Sequence, residues 1–425
     1  MSAVSLTKRA LQLMEEITVA GPVLPEFDGL RVFDHPDRLL NQLTGKTGRV
    51  PPVTLDLWPS LTCNARCPLC QYRVSGARDE VDSTDHLEIM SPTVADSIFS
   101  GAARIGVRSV ILTGGGEPTL NPYLVDIARL ARIRGLRWSL NTNAFLLDRD
   151  LAVALLAELP SYLKISVDAG TSETHSQIYN LKTNMYQKVL DHAVITARAS
   201  AAMGSRNVGI SFSLGSKTSD EELDRIREAI EYVIVESLGT LGFVVFRARL
   251  LHYRGWAPVV PQPNGERFRH LANALEDRIT QPLSAVWGNT TKFDLKKGLF
   301  LLAAREDVPS ECFSNSWMTT ITQEGYGYAT GELAGAAPSG QCWGRIVDPV
   351  DFEKLWYGPL RCELHERIEC GRIPLPIVHR TSPIDEFFRR FRKDVGERLS
   401  PVEVGQVIAS VERAKWYRSK NSVFV

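Results

Sequence analysis

The run Val53-Thr54-Leu55-Asp56-Leu57-Trp58 leads straight into Pro59-Ser60-Leu61-Thr62-Cys63-Asn64-Ala65-Arg66-Cys67-Pro68-Leu69-Cys70. The first part reads as a strand, and the Cys-x3-Cys-x2-Cys part as a short loop that gathers three thiolates. Three thiolates suffice for three irons of a [4Fe-4S] cluster and leave the fourth without a protein ligand. Such clusters are built on cysteine thiolates, and an open position distinguishes a catalytic metal site from a closed structural one. A zinc knuckle is the alternative. Zinc sites usually want four Cys or His ligands in two pairs, whereas here the nearest downstream histidine is His86 and no second cysteine pair lies close by.

Outward from this loop, β-rich runs alternate with helix-like stretches between about residues 50 and 250. Strands are expected at Val53–Trp58, Ser109–Thr113, Leu136–Asn141, Tyr162–Val167, Asn207–Leu214 and Gly242–Leu250. Helix starts are signalled by Ser91-Pro92, by Asp148 before Leu151–Leu159, and by Thr218-Ser219-Asp220-Glu221-Glu222 before Leu223–Val235. Alternation of this kind predicts an α/β fold with a parallel sheet, either a partial (β/α) barrel or an open sheet. In both, ligands gather at the carboxyl ends of the strands. The cysteine loop, Gly114-Gly115-Gly116-Glu117-Pro118, Asn141-Thr142-Asn143 and Asp168 all follow expected strand ends and so face one rim.

A glycine run after a strand serves a tight turn or a close backbone approach to a ligand. One βα unit after the three cysteines, it acquires a second meaning. The combination resembles the radical S-adenosylmethionine (SAM) superfamily, whose signature is Cys-x3-Cys-x2-Cys followed by Gly-Gly-Glu after the second strand; the likeness covers about residues 52–250. It implies a partial (β/α)6 barrel over residues 51–255, after an N-terminal helical extension over 1–50. It further implies that SAM chelates the open iron of the Cys63/Cys67/Cys70 cluster. Reductive cleavage then yields a 5′-deoxyadenosyl radical that abstracts hydrogen from a C–H bond, chemistry that belongs to the cofactor.

By the same resemblance, Gly114, Gly115 and Gly116 accept the methionine ammonium, with Glu117 assisting, and Asn143 lies near the SAM ribose or carboxylate. Lys164-Ile165-Ser166-Val167-Asp168 is similar to the family's fourth-strand Ser-x-Asp, which makes Ser166 and Asp168 ligands of SAM or substrate; the alternative is a strand-end turn and helix cap. Gly209–Gly215 is expected to support the adenine through backbone. Two positions depart from the pattern. Leu69 replaces the aromatic residue before the third cysteine, with Tyr72 a partial substitute. His175-Ser176-Gln177-Ile178-Tyr179-Asn180 lacks the family's arginine, so the carboxylate clamp is expected from Lys182, Arg247 or Arg249.

Past residue 255, Pro, Gly and aromatic residues become frequent and regular alternation stops until Ile384–Phe391 and a last helix opened by Ser400-Pro401-Val402-Glu403. Cys312, Cys342, Cys362 and Cys370 lie here. They loosely resemble the auxiliary-cluster domains called SPASM and twitch, which implies a second [4Fe-4S] cluster within a C-terminal domain over 256–425. Gly325 follows Cys312 as in that pattern, but the next cysteine position is Thr330, so the full pattern is absent. Four unrelated buried thiols are the alternative. His252, Tyr253, Arg254 and Trp256 read equally as a polar pocket wall or a domain-linking loop.

Across the 425 residues, 44% are hydrophobic and 23% charged, an ordinary soluble composition. Forty-nine basic residues balance forty-nine acidic ones, which lends no support to a nucleic-acid-binding surface. No apolar run approaches the roughly 18 residues of a membrane helix, and Met1–Ile17 lacks a signal-peptide core. Seven cysteines in such a chain point to metal ligation rather than disulfides, and a cytoplasmic location is expected.

The expected function is hydrogen abstraction from a polar small molecule such as an aminocyclitol, sugar or nucleotide sugar, with flavodoxin or ferredoxin as electron donor. The 52 residues before the first core strand are short for a peptide-recognition domain. Three cysteines for one cluster and four for another leave no spare thiol, which favours dehydrogenation, as in natural-product biosynthesis, over epimerisation. Should Cys362 or Cys370 not ligate a cluster, it becomes the hydrogen donor for an epimerase. Dehydration of a diol-type radical, modification of a ribosomally made peptide, and a non-catalytic metal-binding role are the remaining readings.

Overall fold

The computed structural model describes residues 50–68, 88–249, 265–296, 316–331 and 341–373, together with His35, Arg38, Asn41, Gln42, Cys70, Tyr72, Cys312, Phe313, Ala334, 388–391, Lys393, Ser400 and 402–406. Ten strands form one sheet: β1 Thr54–Leu57, β2 Ser109–Leu112, β3 Arg137–Thr142, β4 Tyr162–Ser166, β5 Val208–Leu214, β6 Phe243–Ala248, β7 Lys292–Leu295, β8 Met318–Ile321, β9 Tyr326–Tyr328 and β10 Gly344–Arg345. Their order is β10-β9-β8-β1-β2-β3-β4-β5-β6-β7. Pairing is parallel from β8 through β1 to β7, and antiparallel in β8–β9 and β9–β10. The six expected strands are β1 to β6, in the expected order and sense.

Helices alternate with them. They are α1 Pro92–Arg104, α2 Leu124–Ile133, α3 Arg149–Ala157, α4 Ser172–Tyr179, α5 Tyr186–Ala202 and α6 Asp220–Glu236, followed by α7 Gly265–Leu275, α8 Gln281–Trp287, α9 Pro349–Trp356 and α10 Pro359–Glu369. The caps read from sequence are made: Ser91 accepts from Val94 N–H (3.3 Å), Asp148 from Leu151 N–H (2.9 Å) and Ser219 from Glu222 N–H (3.2 Å). At the distal end, Ser400 and Glu403 also exchange their capping-box bonds.

Successive side chains of a strand point to opposite faces, and here the two faces differ in chemistry. One set, including Leu55, Leu57, Val110, Leu112, Trp138, Leu140, Leu163, Ile165, Ile210, Phe212, Val244 and Phe246, is buried beneath the helices. By register, the other set brings Asp56, Asn141, Lys164, Ser211, Ser213, Arg247 and Asp294 onto the opposite face. The result is a mostly parallel partial barrel with an apolar outer wall and a mixed inner face, on which Ile111, Tyr162, Phe243 and Val245 form an apolar cluster beside the polar residues.

Order continues past the point where alternation fades in the sequence. A seventh parallel strand, β7, extends the sheet beyond β6, and β8 lies against β1 with Asp56 beside Thr320. Both are four-residue strands without a neighbouring helix signal, and β8 finds its partner more than 250 residues away. α9 packs on α1 at Gly101, where a Cβ would stand 2.4 Å from Pro349 O. Trp356 donates its indole N–H to Val50 O (2.9 Å). Among the described residues, no helix is long and apolar enough to cross a membrane.

Candidate active site

At the carboxyl ends of the strands lies a cleft of about 470 Å³ lined by Cys63, Cys67 and Cys70. Gly114, Gly116 and Glu117 border it from β2, Asn143 from β3, Ser166 and Asp168 from β4, and Arg247 and Arg249 from β6. Thr320, Thr330 and Gly331 of the C-terminal region close the side next to β1. Residues scattered over more than 260 positions thus share one rim, as the strand ends foretold.

The glycine run holds the cysteine loop in place. Gly116 N–H donates to Ser60 O and Glu117 N–H to Thr62 O, both at 2.9 Å. A Cβ on Gly116 would come within 2.1 Å of Thr62 O, and one on Gly115 within 2.5 Å of Leu61 Cδ1. Glycine is needed here for backbone proximity rather than for a special φ. Arg66 N–H donates to Tyr179 O at 3.0 Å, so the end of α4 supports the same loop. Asn143 donates from Nδ2 to Asn64 Oδ1 (2.7 Å), between the first two cysteines.

The Glu117 carboxylate is buried and fully engaged. It accepts from Thr119 N–H (3.1 Å), the Thr119 hydroxyl (2.7 Å), Asn143 N–H (2.8 Å) and the Thr142 hydroxyl. Burial raises its pKa while those donors oppose the rise. Glu117 therefore braces β2 to β3 with its carboxylate, while it also borders the cleft.

Asp168 stands in the left-handed region (φ +62°), where a non-glycine residue is held by its surroundings. Its carboxylate accepts from Ser213 N–H (2.7 Å), Arg249 (2.6 Å) and Tyr179 OH (3.3 Å). Tyr179 also donates to Ser166 O (2.9 Å). The Asp168 side chain caps no helix; the cap of α4 is Thr171, which accepts from Thr174 N–H. Of the three clamp candidates, Arg247 and Arg249 line the cleft and Lys182 is exposed away from it. Gly209 has a packing reason, since a Cβ there would meet the Phe243 ring at 2.2 Å, whereas Gly215 has open space. Tyr72 lines the cleft against Trp58, edge to face with centroids 4.8 Å apart. Leu69 and the His252–Trp256 cluster lie outside the described residues.

Cys67 is pushed up to about 12, first by burial and then by the neighbouring Cys70 and Cys63. So placed, the Cys67 thiol is poorly ionised until a cation joins it, and metal coordination reverses that balance. Among the described residues, no group of three Cys, His, Asp or Glu side chains is drawn together around one ion.

These observations meet a match to known proteins. Residues 59–230 match the model of the radical SAM superfamily. The chain carries a radical SAM domain. The superfamily's cofactors are a [4Fe-4S] cluster and SAM, and the three-thiol loop and its cleft fit them. The chain is 30% identical over 191 residues to a probable GTP 3′,8-cyclase of Metallosphaera sedula, covering 43% of this chain and 54% of that protein. It is 36% identical over 96 residues to the dTDP-4-amino-4,6-dideoxy-D-glucose ammonia-lyase of Streptomyces venezuelae, 23% of this chain and 19% of that one. It spans about half or less of the length of such curated relatives. Its fold is similar to that of Streptococcus suis SuiB bound to S-adenosylmethionine (TM-score 0.53, 15% identity, 76% of this chain and 69% of that one). That likeness in fold reaches past the barrel.

The four C-terminal cysteines are less gathered. Cys312 is buried against Leu364 and Ile368 of α10, with Tyr328 beside it. Cys342 donates to Gly344 O (3.4 Å) and also hydrogen-bonds Tyr328. Cys362 lies in α10 and Cys370 caps its end, eight residues and about 12 Å of helix rise apart. None of the four lines the cleft.

Sequence reading missed several residues that matter here. Lys164 and Thr330 enter the cleft, and Asn64 and Tyr179 hold the cysteine loop. The alternation within Tyr162–Ser166, with Lys164 between Leu163 and Ile165, was the available signal for one of them.

Proposed function

We propose that this protein is a radical SAM enzyme that abstracts a hydrogen atom from a polar small molecule and oxidises it, as a dehydrogenase. The polar part of the barrel interior under the three-thiol loop carries the proposal: Asn141, Lys164, Ser211, Ser213 and Arg247 form a wall suited to a hydroxylated or charged ligand.

The bound cluster and SAM supply the radical on receiving one electron from a donor such as flavodoxin or ferredoxin. Cys63, Cys67 and Cys70 would hold the cluster. Gly114, Gly116, Asn143, Ser166 and the Asp168–Arg249 pair border the cleft and would orient SAM. The inner strand residues would fix the substrate. Thr330 and Gly331 from beyond β9, with Tyr72, restrict solvent on the β1 side.

Oxidation is favoured over epimerisation because neither Cys362 nor Cys370 lines the cleft, so neither thiol is placed to return a hydrogen atom. The electron released by oxidation requires an acceptor, and an auxiliary [4Fe-4S] cluster on Cys312, Cys342, Cys362 and Cys370 would serve.

Anaerobic reconstitution tests the proposal. About eight irons in the parent and about four in a Cys63/Cys67/Cys70→Ala variant are expected, with 5′-deoxyadenosine formed from SAM and dithionite by the parent alone. About four irons in the parent and none in the variant would remove the auxiliary cluster and the oxidation with it. No iron, or no SAM cleavage, would sink the radical reading.

A further inference from the structure

A second cavity, of about 670 Å³, opens at the amino ends of strands β3 to β7 and shares no lining residue with the cleft. Small-molecule sites commonly measure about 300–1,000 Å³. Tyr162 and Phe243 line it edge to face (centroids 6.2 Å apart), and with Ile111 and Val245 they form an apolar floor. The seven residues of β5 span about 20 Å, so the two openings stand at opposite ends of the barrel.

Its charged lining has one sign. Arg132, Arg137, Arg206 and Lys292 border the cavity, and no Asp or Glu does. Arg132 is paired with Glu158 (3.0 Å). Arg206 donates to Gly239 O (2.6 Å) and Lys292 to Gly288 O (3.1 Å), and neither has a carboxylate within ion-pair distance among the described residues. Carbonyls satisfy these donors without balancing their charge. The two backbones meet at Gly242: Lys292 N–H donates to Gly242 O (2.9 Å), and a Cβ on Gly242 would stand 1.8 Å from Arg206 O. Charges of one sign around a concavity focus their field on an entering counter-ion.

Leu159 on the rim is an independent sign. It stands just past the C-cap of α3 with φ +58°, a position that Gly106, Gly135 and Gly204 fill after α1, α2 and α5. A leucine is strained there, and at 71% exposed it gains little from the core. Leu238, past the C-cap of α6, repeats the arrangement (φ +57°, 77% exposed) beside Gly239, the acceptor for Arg206. Strain kept at the edge of a cavity points to a ligand. We propose that this end of the barrel binds a phosphorylated small molecule of nucleotide size. Arg206 and Lys292 hold its phosphates, and its remaining part lies against Leu159 and the Tyr162–Phe243 floor. Guanidinium and ammonium groups are the usual donors to phosphate. The site is separate from the cleft and does not depend on the reaction carried out there.

Inorganic pyrophosphate and ATP are titrated calorimetrically into the iron-loaded parent, each with and without saturating SAM. Both should bind saturably, ATP about ten-fold more tightly. Arg206→Gln and Lys292→Gln should each weaken both probes about five-fold or more. Leu159→Gly should raise the thermal midpoint, since it relieves the strain, and weaken ATP alone by about three-fold. Binding that is absent from the parent, or equal in parent and charge variants, would overturn the site. Equal affinity for the two probes would overturn it as well, because the cavity wall would then add nothing. Loss of binding on addition of SAM would move the anion to the cleft and overturn it equally. Should Arg206→Gln lose its thermal transition along with the bond to Gly239, Lys292→Gln decides alone, since Lys292 is exposed and its removal disturbs no core packing.

Discussion

Arg249, just past the end of β6, grips the Asp168 carboxylate just past the end of β4 at 2.6 Å, and so ties the strands on either side of β5 together over the cleft. Ser213 N–H at the end of β5 completes the clamp. Both side chains are mostly buried, so removing one strands the other in low dielectric. Arg249→Met should destabilise the fold by about 3 kcal/mol. In a double-mutant cycle with Asp168→Asn, chemical denaturation should show a coupling of about 1–3 kcal/mol. Additive effects would mean that the pair does not act as a unit.

Gly116→Ala puts a methyl group into the Thr62 carbonyl of the cysteine loop, a backbone atom with nowhere to retreat. Overpacking of this kind costs about 1–3 kcal/mol, and the loop should shift away from the glycine run. We expect a lower thermal midpoint together with weaker SAM binding. Gly215→Ala, with open space around it, should leave the midpoint close to that of the parent.

Asn143→Ala removes the bond to Asn64 that steadies the cysteine loop between its first two thiols. The stability cost should be about 1 kcal/mol. The larger effect falls on the cluster: bleaching of its visible absorbance by a chelator should be several-fold faster than in the parent. Equal bleaching rates would show that the loop does not depend on this contact.

His175 is fully buried among Phe145, Tyr179 and Tyr186, and both ring nitrogens lack hydrogen-bond partners. Burial lowers its pKa from 6.5 to about 4, against the pull of Asp168. The folded chain thus binds fewer protons than the unfolded one between those values. Its contribution is constant above pH 6.5, and stability falls on acidification towards pH 4 by up to about 1.4 kcal/mol per pH unit. His175→Phe keeps the ring packing and should flatten that part of the stability–pH curve. An unchanged slope in denaturation series from pH 7 to pH 4 would refute the assignment.

Legibility varied with the range of the interaction. The six core strands and the helix caps at Ser91, Asp148 and Ser219 were readable, because alternation and capping are properties of a few neighbouring residues. Strand β8 was not, since its partner β1 lies more than 250 residues away and four residues carry no period of their own. Glu117 illustrates the same limit within the site. Its position beside the cleft follows from the strand before it, but the four hydrogen bonds that occupy its carboxylate come mostly from the separate strand end at Thr142 and Asn143 and the turn at Thr119.

By itself, the sequence determined the cluster loop, the order of the βα units and the rim on which Cys63, Cys67, Cys70, Gly114–Glu117 and Asp168 meet. Spacing along the chain dictates those features, because strand ends in a parallel sheet point the same way. Only the tertiary structure decided what the interior holds. The pairing of Asp168 with Arg249 and the placing of Cys362 and Cys370 outside the cleft lining depend on distant strands and helices packing together. Electrostatics inside a barrel is a sum over such neighbours, and no single segment contains it.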